Sequence, residues 1–186
     1  MDISSLVNLT SRAWALPILA SLNDGIPGRQ APLLTATGAS RTAFAQSIDH
    51  LISIGLLERN PGYGHPLRPE FRLTVLGKSA AELASRIQHL SGDENQDLLR
   101  RSWTIPVLTV LHRPSQFTEI KRRLLTISDR ALSQSLQSME ERLWVRRSVD
   151  EAMRPPKPIY STIHTGAMIN KVTGPVIEEG HTQLSW

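Results

Sequence analysis

Two stretches of this chain carry the same pattern. Ala39-Ser40-Arg41-Thr42-Ala43-Phe44-Ala45-Gln46-Ser47-Ile48, followed by Gly55-Leu56-Leu57-Glu58-Arg59, lies over Ile127-Ser128-Asp129-Arg130-Ala131-Leu132-Ser133-Gln134-Ser135-Leu136, followed by Leu143-Trp144-Val145-Arg146-Arg147. The correspondence extends outward, because Trp14-Ala15-Leu16-Pro17-Ile18-Leu19 matches Trp103-Thr104-Ile105-Pro106-Val107-Leu108, and Phe71 to Gly77 matches Tyr160 to Gly166. One unit of about 80 residues therefore occurs twice. Two copies are too few for a solenoid, so each should be a small domain with its own core, or half of a two-lobed one. The boundary is expected at the polar run Ser91-Gly92-Asp93-Glu94-Asn95-Gln96-Asp97, giving units 1–92 and 93–186.

Each copy opens on a helical period, Leu6, Leu9, Ala13, Leu16 and Leu19 in the first and Leu98, Trp103, Val107 and Val110 in the second. Thr10 or Ser11 could cap the first, and Pro17 and Pro106 should kink or start their helices. A short helix is expected next, Ala31 to Thr35 in copy one and Thr118 to Leu124 in copy two, the latter with Thr118 as cap. The strongest helices follow. Phe44, Ile48, Leu51 and Gly55 share one face, as do Leu132, Leu136, Met139 and Leu143, and Ser40 and Ser128 stand where N-caps belong. Two short strands around a Pro-rich tip then make a hairpin in each copy, with tips at Asn60 to Pro66 and Asp150 to Pro158. A last helix is expected with Leu76, Ala80, Leu83, Ala84, Ile87 and Leu90 on one face, and a weaker one around Ala167 to Val172 that stops near Gly174-Pro175 before a polar tail.

This order reads as a winged helix-turn-helix: mainly α, with small β-hairpin wings, in two tandem units that could form an intrachain pseudo-dimer. In such a unit the third helix can lie in the major groove while the hairpin reaches the neighbouring backbone. The outward positions of that helix in copy two are Asp129, Arg130, Ser133, Gln134 and Gln137, with Ser128 at its start a further candidate; in copy one they are Arg41, Thr42, Gln46 and Asp49 or His50. Arginine suits guanine edges and glutamine suits adenine edges, so Arg130 with Gln134, one turn apart, forms a candidate reading pair. Lys121, Arg122 and Arg123 on the preceding helix and Arg154 and Lys157 in the second hairpin are candidates for phosphate contact, with Arg68 beside His65 and Arg72 in the first hairpin. The short helix of copy one bears no cation, so weaker DNA binding, or none, is expected of that copy.

Charge agrees with that placement. The chain carries a formal +4, but residues 1–97 hold 8 basic against 9 acidic side chains and residues 98–186 hold 13 against 8. A basic excess confined to one half favours a polyanionic partner, here double-stranded DNA. The chain has no run of about 18 apolar residues and no basic start with an apolar block, so the expected location is the cytoplasm, on the nucleoid, without a membrane partner.

Other chemistries lack their residues. Cysteine is absent, which removes thiolate nucleophiles, zinc-thiolate sites and thiol redox sensing. Six histidines, His50, His65, His89, His112, His164 and His181, stand singly, with no metal-ligand spacing, phosphate-binding glycine loop or nucleophile elbow. No catalytic residue, cofactor or metal is therefore expected. The rival reading is a tandem winged-helix adaptor that binds protein; it needs an exposed apolar face, and nearly neutral copy one suits it better than copy two. The apolar seam near Trp14 and Trp103 is the natural place for a small-molecule effector, although both tryptophans fit a core as well. Pro155-Pro156-Lys157-Pro158 reads as a stiff hairpin tip rather than a polyproline ligand.

Trp103 with Ile105 to Leu108, Phe117 to Ile120, Ile127 to Gln134 and Pro155 to Ser161 together resemble the HxlR-type winged-helix regulators, relatives of the MarR group. The second copy resembles them over nearly its whole length. The first does so more loosely, through Trp14, Ser40 to Gln46, Gly55 to Arg59 and Phe71 to Gly77. The resemblance implies a bacterial transcription regulator whose reading helices span Ser128 to Leu143 and Ser40 to Ile54. Several members sense oxidants through a cysteine, a mode this chain cannot use. Ordinary members carry one unit and pair as homodimers on half-sites about 34 Å apart. Two joined and unequal units imply an asymmetric site for one chain, and a palindrome of such sites if two chains pair.

Overall fold

A computed structural model describes residues 1–60, 70–150 and 156–182. It divides the chain into two compact units, Leu9–Asp93 on the one hand and Met1–Asn8 with Glu94–Trp186 on the other. Among the described residues the elements run α1 (Ile3–Thr10), α2 (Ala15–Asn23), α3 (Gln30–Thr37), α4 (Arg41–Ser53), β1 (Leu57–Asn60), β2 (Glu70–Leu73), α5 (Val75–Ser91), then α6 (Gln96–Leu99), α7 (Thr104–Val110), β3 (Ser115–Gln116), α8 (Phe117–Leu124), α9 (Asp129–Glu141), β4 (Val145–Asp150), β5 (Lys157–Thr162) and α10 (His164–Thr182). The chain is mainly helical with small antiparallel sheets, an architecture consistent with a winged helix-turn-helix.

The opening helical period is broken in both units. Pro17 and Pro106 each occupy the third position of their helix, inside the first turn, where a missing N–H leaves no bond unmade, so the prolines start α2 and α7 rather than kink them. Trp14 and Trp103 are the N-cap residues of these helices and are half-buried. Thr10 ends α1, so neither it nor Ser11 caps the next helix.

In the unit Leu9–Asp93, α2 packs along α5 and touches α3 and α4, burying Leu16, Ile18, Leu19, Leu33, Ile48, Leu51 and Ile87. Phe44 of α4 meets Phe71 of β2 edge to face, with ring centroids 6.3 Å apart, which pins the hairpin to the third helix. Leu76 does not join the core face of α5. It lies in the first turn beside Val75, and the two are 70% and 85% exposed.

In the other unit, α7 is buried along its whole length among α8, α9 and α10. Ile120, Leu124, Leu132, Leu136, Met139, Trp144, Val145 and Ile169 complete its core. Leu143 is not part of it. α9 ends at Glu141 with Arg142 as C-cap, and Leu143 follows with φ 57° and its side chain outward. Gly55, its counterpart in the repeat, takes the same left-handed turn at φ 74°. α10 runs through Gly174-Pro175 instead of stopping there; Pro175 costs it one main-chain bond but does not end it.

Equivalent hydrogen bonds recur in the two units. The Leu56 N–H donates to the Leu51 carbonyl and the Thr74 N–H to the Leu56 carbonyl; the Trp144 N–H donates to Met139 and the Ile163 N–H to Trp144. Gly77 and Gly166 then pass so close to those same carbonyls that an added Cβ would sit 1.9 Å from the Leu56 oxygen and 2.1 Å from the Trp144 oxygen. One strand escaped the sequence pattern. β3 pairs with β5, so the second sheet runs β3-β5-β4, and Arg29 makes the corresponding isolated bridge to Glu70 in the first unit. Two residues are too few to show an alternation. No helix among the described residues is long and apolar enough to cross a membrane.

Candidate nucleic-acid interface

α9 is an amphipathic helix with a defined start. The Ser128 oxygen accepts the Ala131 N–H at 3.2 Å, and Asp129 in the first turn suits the positive end of the helix dipole. Leu132, Leu136 and Met139 anchor one side. The opposite side exposes Arg130, Ser133, Gln134 and Gln137, spaced i, i+3, i+4 and i+7 on one stripe. Gln137 donates to Glu141 along the helix at 3.0 Å, while Arg130, Ser133 and Gln134 keep their side chains toward solvent. Ser128, also a sequence candidate, caps the helix through its oxygen.

The other end of α9 is held by two arginines. Arg142 donates both to Asp97, at 3.0 and 3.2 Å, and to Asn95 and the Glu94 carbonyl; Arg101 donates to Ser138 at 2.6 Å. These contacts set the helix against the segment 94–101 and leave its outward stripe clear.

The three cations of α8 have separate fates. Lys121 pairs with Asp129 at 2.6 Å, joining α8 to the start of α9 and neutralising a carboxylate that would repel phosphate there. Both side chains are substantially exposed, so this pair contributes at most about 1 kcal/mol to stability. Arg122 is exposed. Arg123 turns inward, donating to the Val110 carbonyl at 2.8 Å and the Ser115 hydroxyl at 2.9 Å. Burial, and then the nearby Arg113 charge, push its pKa down, with Glu119 opposing. The phosphate contact expected at Arg123 competes with this structural role, because its Nη1 holds the corner between α7, β3 and α8.

That corner is also capped by Gln116 rather than Thr118. Gln116 and Glu119 form a reciprocal capping box, in which the Glu119 carboxylate accepts the Gln116 N–H at 3.0 Å. This hydrogen bond, foremost, holds the Glu119 carboxyl below the ordinary range; burial works against it, and Arg123 and Arg113 add to it.

On the second wing Lys157 is exposed at the start of β5, whereas Arg154 lies outside the described residues. Arg146 and Arg147 of β4, not among the sequence candidates, are both exposed and have no acidic partner among the described residues. Their placement on a strand that follows directly on α9 was the available signal.

In the first unit α4 exposes Arg41, Thr42 and Gln46, and the Ser40 oxygen caps it through the Ala43 N–H at 3.2 Å. The helix before it, α3, carries no charge. Arg59 pairs with Asp49 at 3.0 Å and Arg72 with Glu70 at 3.3 Å. Hydrogen bonding from Asn60, then the Arg72 charge, lower the Glu70 pKa against its burial. Arg68 and His65 fall outside the described residues.

A family model described as HxlR-like helix-turn-helix matches residues 98–185, from within α6 to the end of the second unit. No curated protein and no solved structure matches the chain.

Proposed function

We propose that this chain is a DNA-binding transcription regulator of HxlR type, in which α9 enters the major groove and β4-β5 follows the neighbouring backbone. The observation that carries the reading is the stripe Arg130, Ser133, Gln134 and Gln137, exposed along a helix whose ends are clamped by the protein itself. Base-edge hydrogen bonding needs donors and acceptors on a rigid, uncovered face, and this helix supplies both. The similarity of residues 98–185 to HxlR-like helix-turn-helix domains supports it. Arg130 and Gln134 read bases; Arg122, Arg146, Arg147 and Lys157 meet phosphates, with Arg154 a further candidate.

The repeated hydrogen-bond scheme supports a tandem arrangement, units 1–92 and 93–186, in one chain. It makes a pseudo-dimer of unequal halves, with Arg41, Thr42 and Gln46 as the first unit's reading set and Arg68 near its wing. Pairing of two chains, and binding of a small-molecule effector, belong to the same proposal.

The test is selection of bound sequences from a random duplex pool, followed by titration at several salt concentrations. Arg130→Ala or Gln134→Ala should cost about 1–3 kcal/mol and relax preference at one or two base pairs. Arg122→Ala should weaken all sequences alike and lower the salt slope by about 1. No enrichment, with binding indifferent to salt, would refute the reading.

A protein-binding role for the first unit has one observation in its favour. Val75 and Leu76 are exposed there, where the repeat places His164 and Thr165 in the second unit.

A further inference from the structure

The two wings can be compared position by position, because their strand registers agree. Leu57 faces Leu73 as Val145 faces Thr162, Arg59 faces Phe71 as Arg147 faces Tyr160, and Asn60 faces Glu70 as Ser148 faces Ile159. Glu58 thus corresponds to Arg146, Arg59 to Arg147, Glu70 to Ile159 and Arg72 to Ser161. Asp49 and Gln137 stand equally far before Arg59 and Arg147.

At these five positions the first unit has three carboxylates and two guanidiniums, and the second has two guanidiniums and no carboxylate. The geometry uses that difference. Asp49 holds Arg59 at 3.0 Å, whereas Gln137 cannot hold Arg147 and bonds to Glu141 instead. Glu70 holds Arg72 at 3.3 Å and also accepts from Asn60 at 3.0 Å, whereas Ile159 offers Ser148 nothing comparable. Glu58 adds an exposed negative charge where Arg146 adds a positive one.

We infer that the repeat is unequal by construction: Asp49, Glu58 and Glu70 keep the first wing off DNA, and Gln137, Arg146 and Ile159 leave phosphate binding to the second. This inference rests on the reading of the second unit as a DNA-binding one. Exposed ion pairs are weak, so a phosphate could displace one carboxylate. It would still meet the displaced carboxylate and its neighbours within a screening length of about 10 Å at 0.1 M salt, and so would gain little. The uncharged α3, against α8 with Arg122 exposed, points the same way.

The experiment uses the full chain and a fluorescein-labelled duplex of random sequence, titrated by anisotropy across a sodium chloride series. Arg146→Ala with Arg147→Ala should lower affinity about tenfold or more and reduce the salt slope by about 2, while Arg59→Ala with Arg72→Ala should change affinity by less than about twofold. Asp49→Gln, Glu58→Arg and Glu70→Ile together should raise affinity and steepen the slope. Equal losses from the two alanine pairs, or no gain from the triple exchange, overturn the inference while DNA binding stands. If the unaltered chain ignores the duplex at low salt, the underlying reading falls and the inference with it.

Discussion

Leu143 sits in the left-handed region at φ 57° with its side chain 61% exposed, so it bears the cost of that conformation and recovers little by burial. Leu143→Gly, which copies Gly55, should raise stability by about 1 kcal/mol in urea unfolding. The arginines of α8 separate in the same measurement. Arg123→Ala removes the partner of the Val110 carbonyl and should cost about 1–3 kcal/mol, whereas exposed Arg122→Ala should stay within about 0.5 kcal/mol. Glu119 titrates with a sign that can be stated. Its carboxyl is held low in the fold, chiefly by the Gln116 N–H, so its contribution is present above the ordinary Glu pKa of about 4.3 and is lost as pH falls through the lower folded value. Unfolding midpoints of Glu119→Gln should therefore fall below those of the unaltered chain near neutral pH and converge with them in acid.

At the scale of elements, the join between hairpin and last helix is the tightest repeated feature. Gly77→Ala or Gly166→Ala would drive a methyl group into the Leu56 or Trp144 carbonyl, and backbone cannot swing aside as a long side chain can. Each should lose roughly 3 kcal/mol or more, read as an early thermal transition. Helices α4 and α9, their serine caps and both hairpins were legible because period, cap residue and turn residues are local signals. The capping box at Gln116 was missed because Thr118 is the better cap by residue type, while the chain enters β3 just before Phe117 and makes Gln116 the half-helical residue. Leu76 misled for a related reason. A helical period names a face, but in the first turn of α5 Leu76 is exposed while the buried position is Gly77.

For the whole molecule, the prediction is an asymmetric footprint. One chain bound to its selected site should protect the half under the second unit strongly and the other weakly or not at all; equal protection of two symmetric halves would contradict it. What the sequence determined alone was the helices with their outward polar stripes, the hairpins and the charge excess after residue 97, because each is written in residues close together along the chain. The tertiary structure decided which cations remain free. Lys121 is bound to Asp129, Arg123 to Val110 and Ser115, Arg59 to Asp49 and Arg72 to Glu70, while Arg122, Arg130, Arg146 and Arg147 are exposed with no acidic partner among the described residues. Such pairing depends on separations of about 3 Å between side chains brought together by folding. Spacing along the chain carries the charges but not those distances.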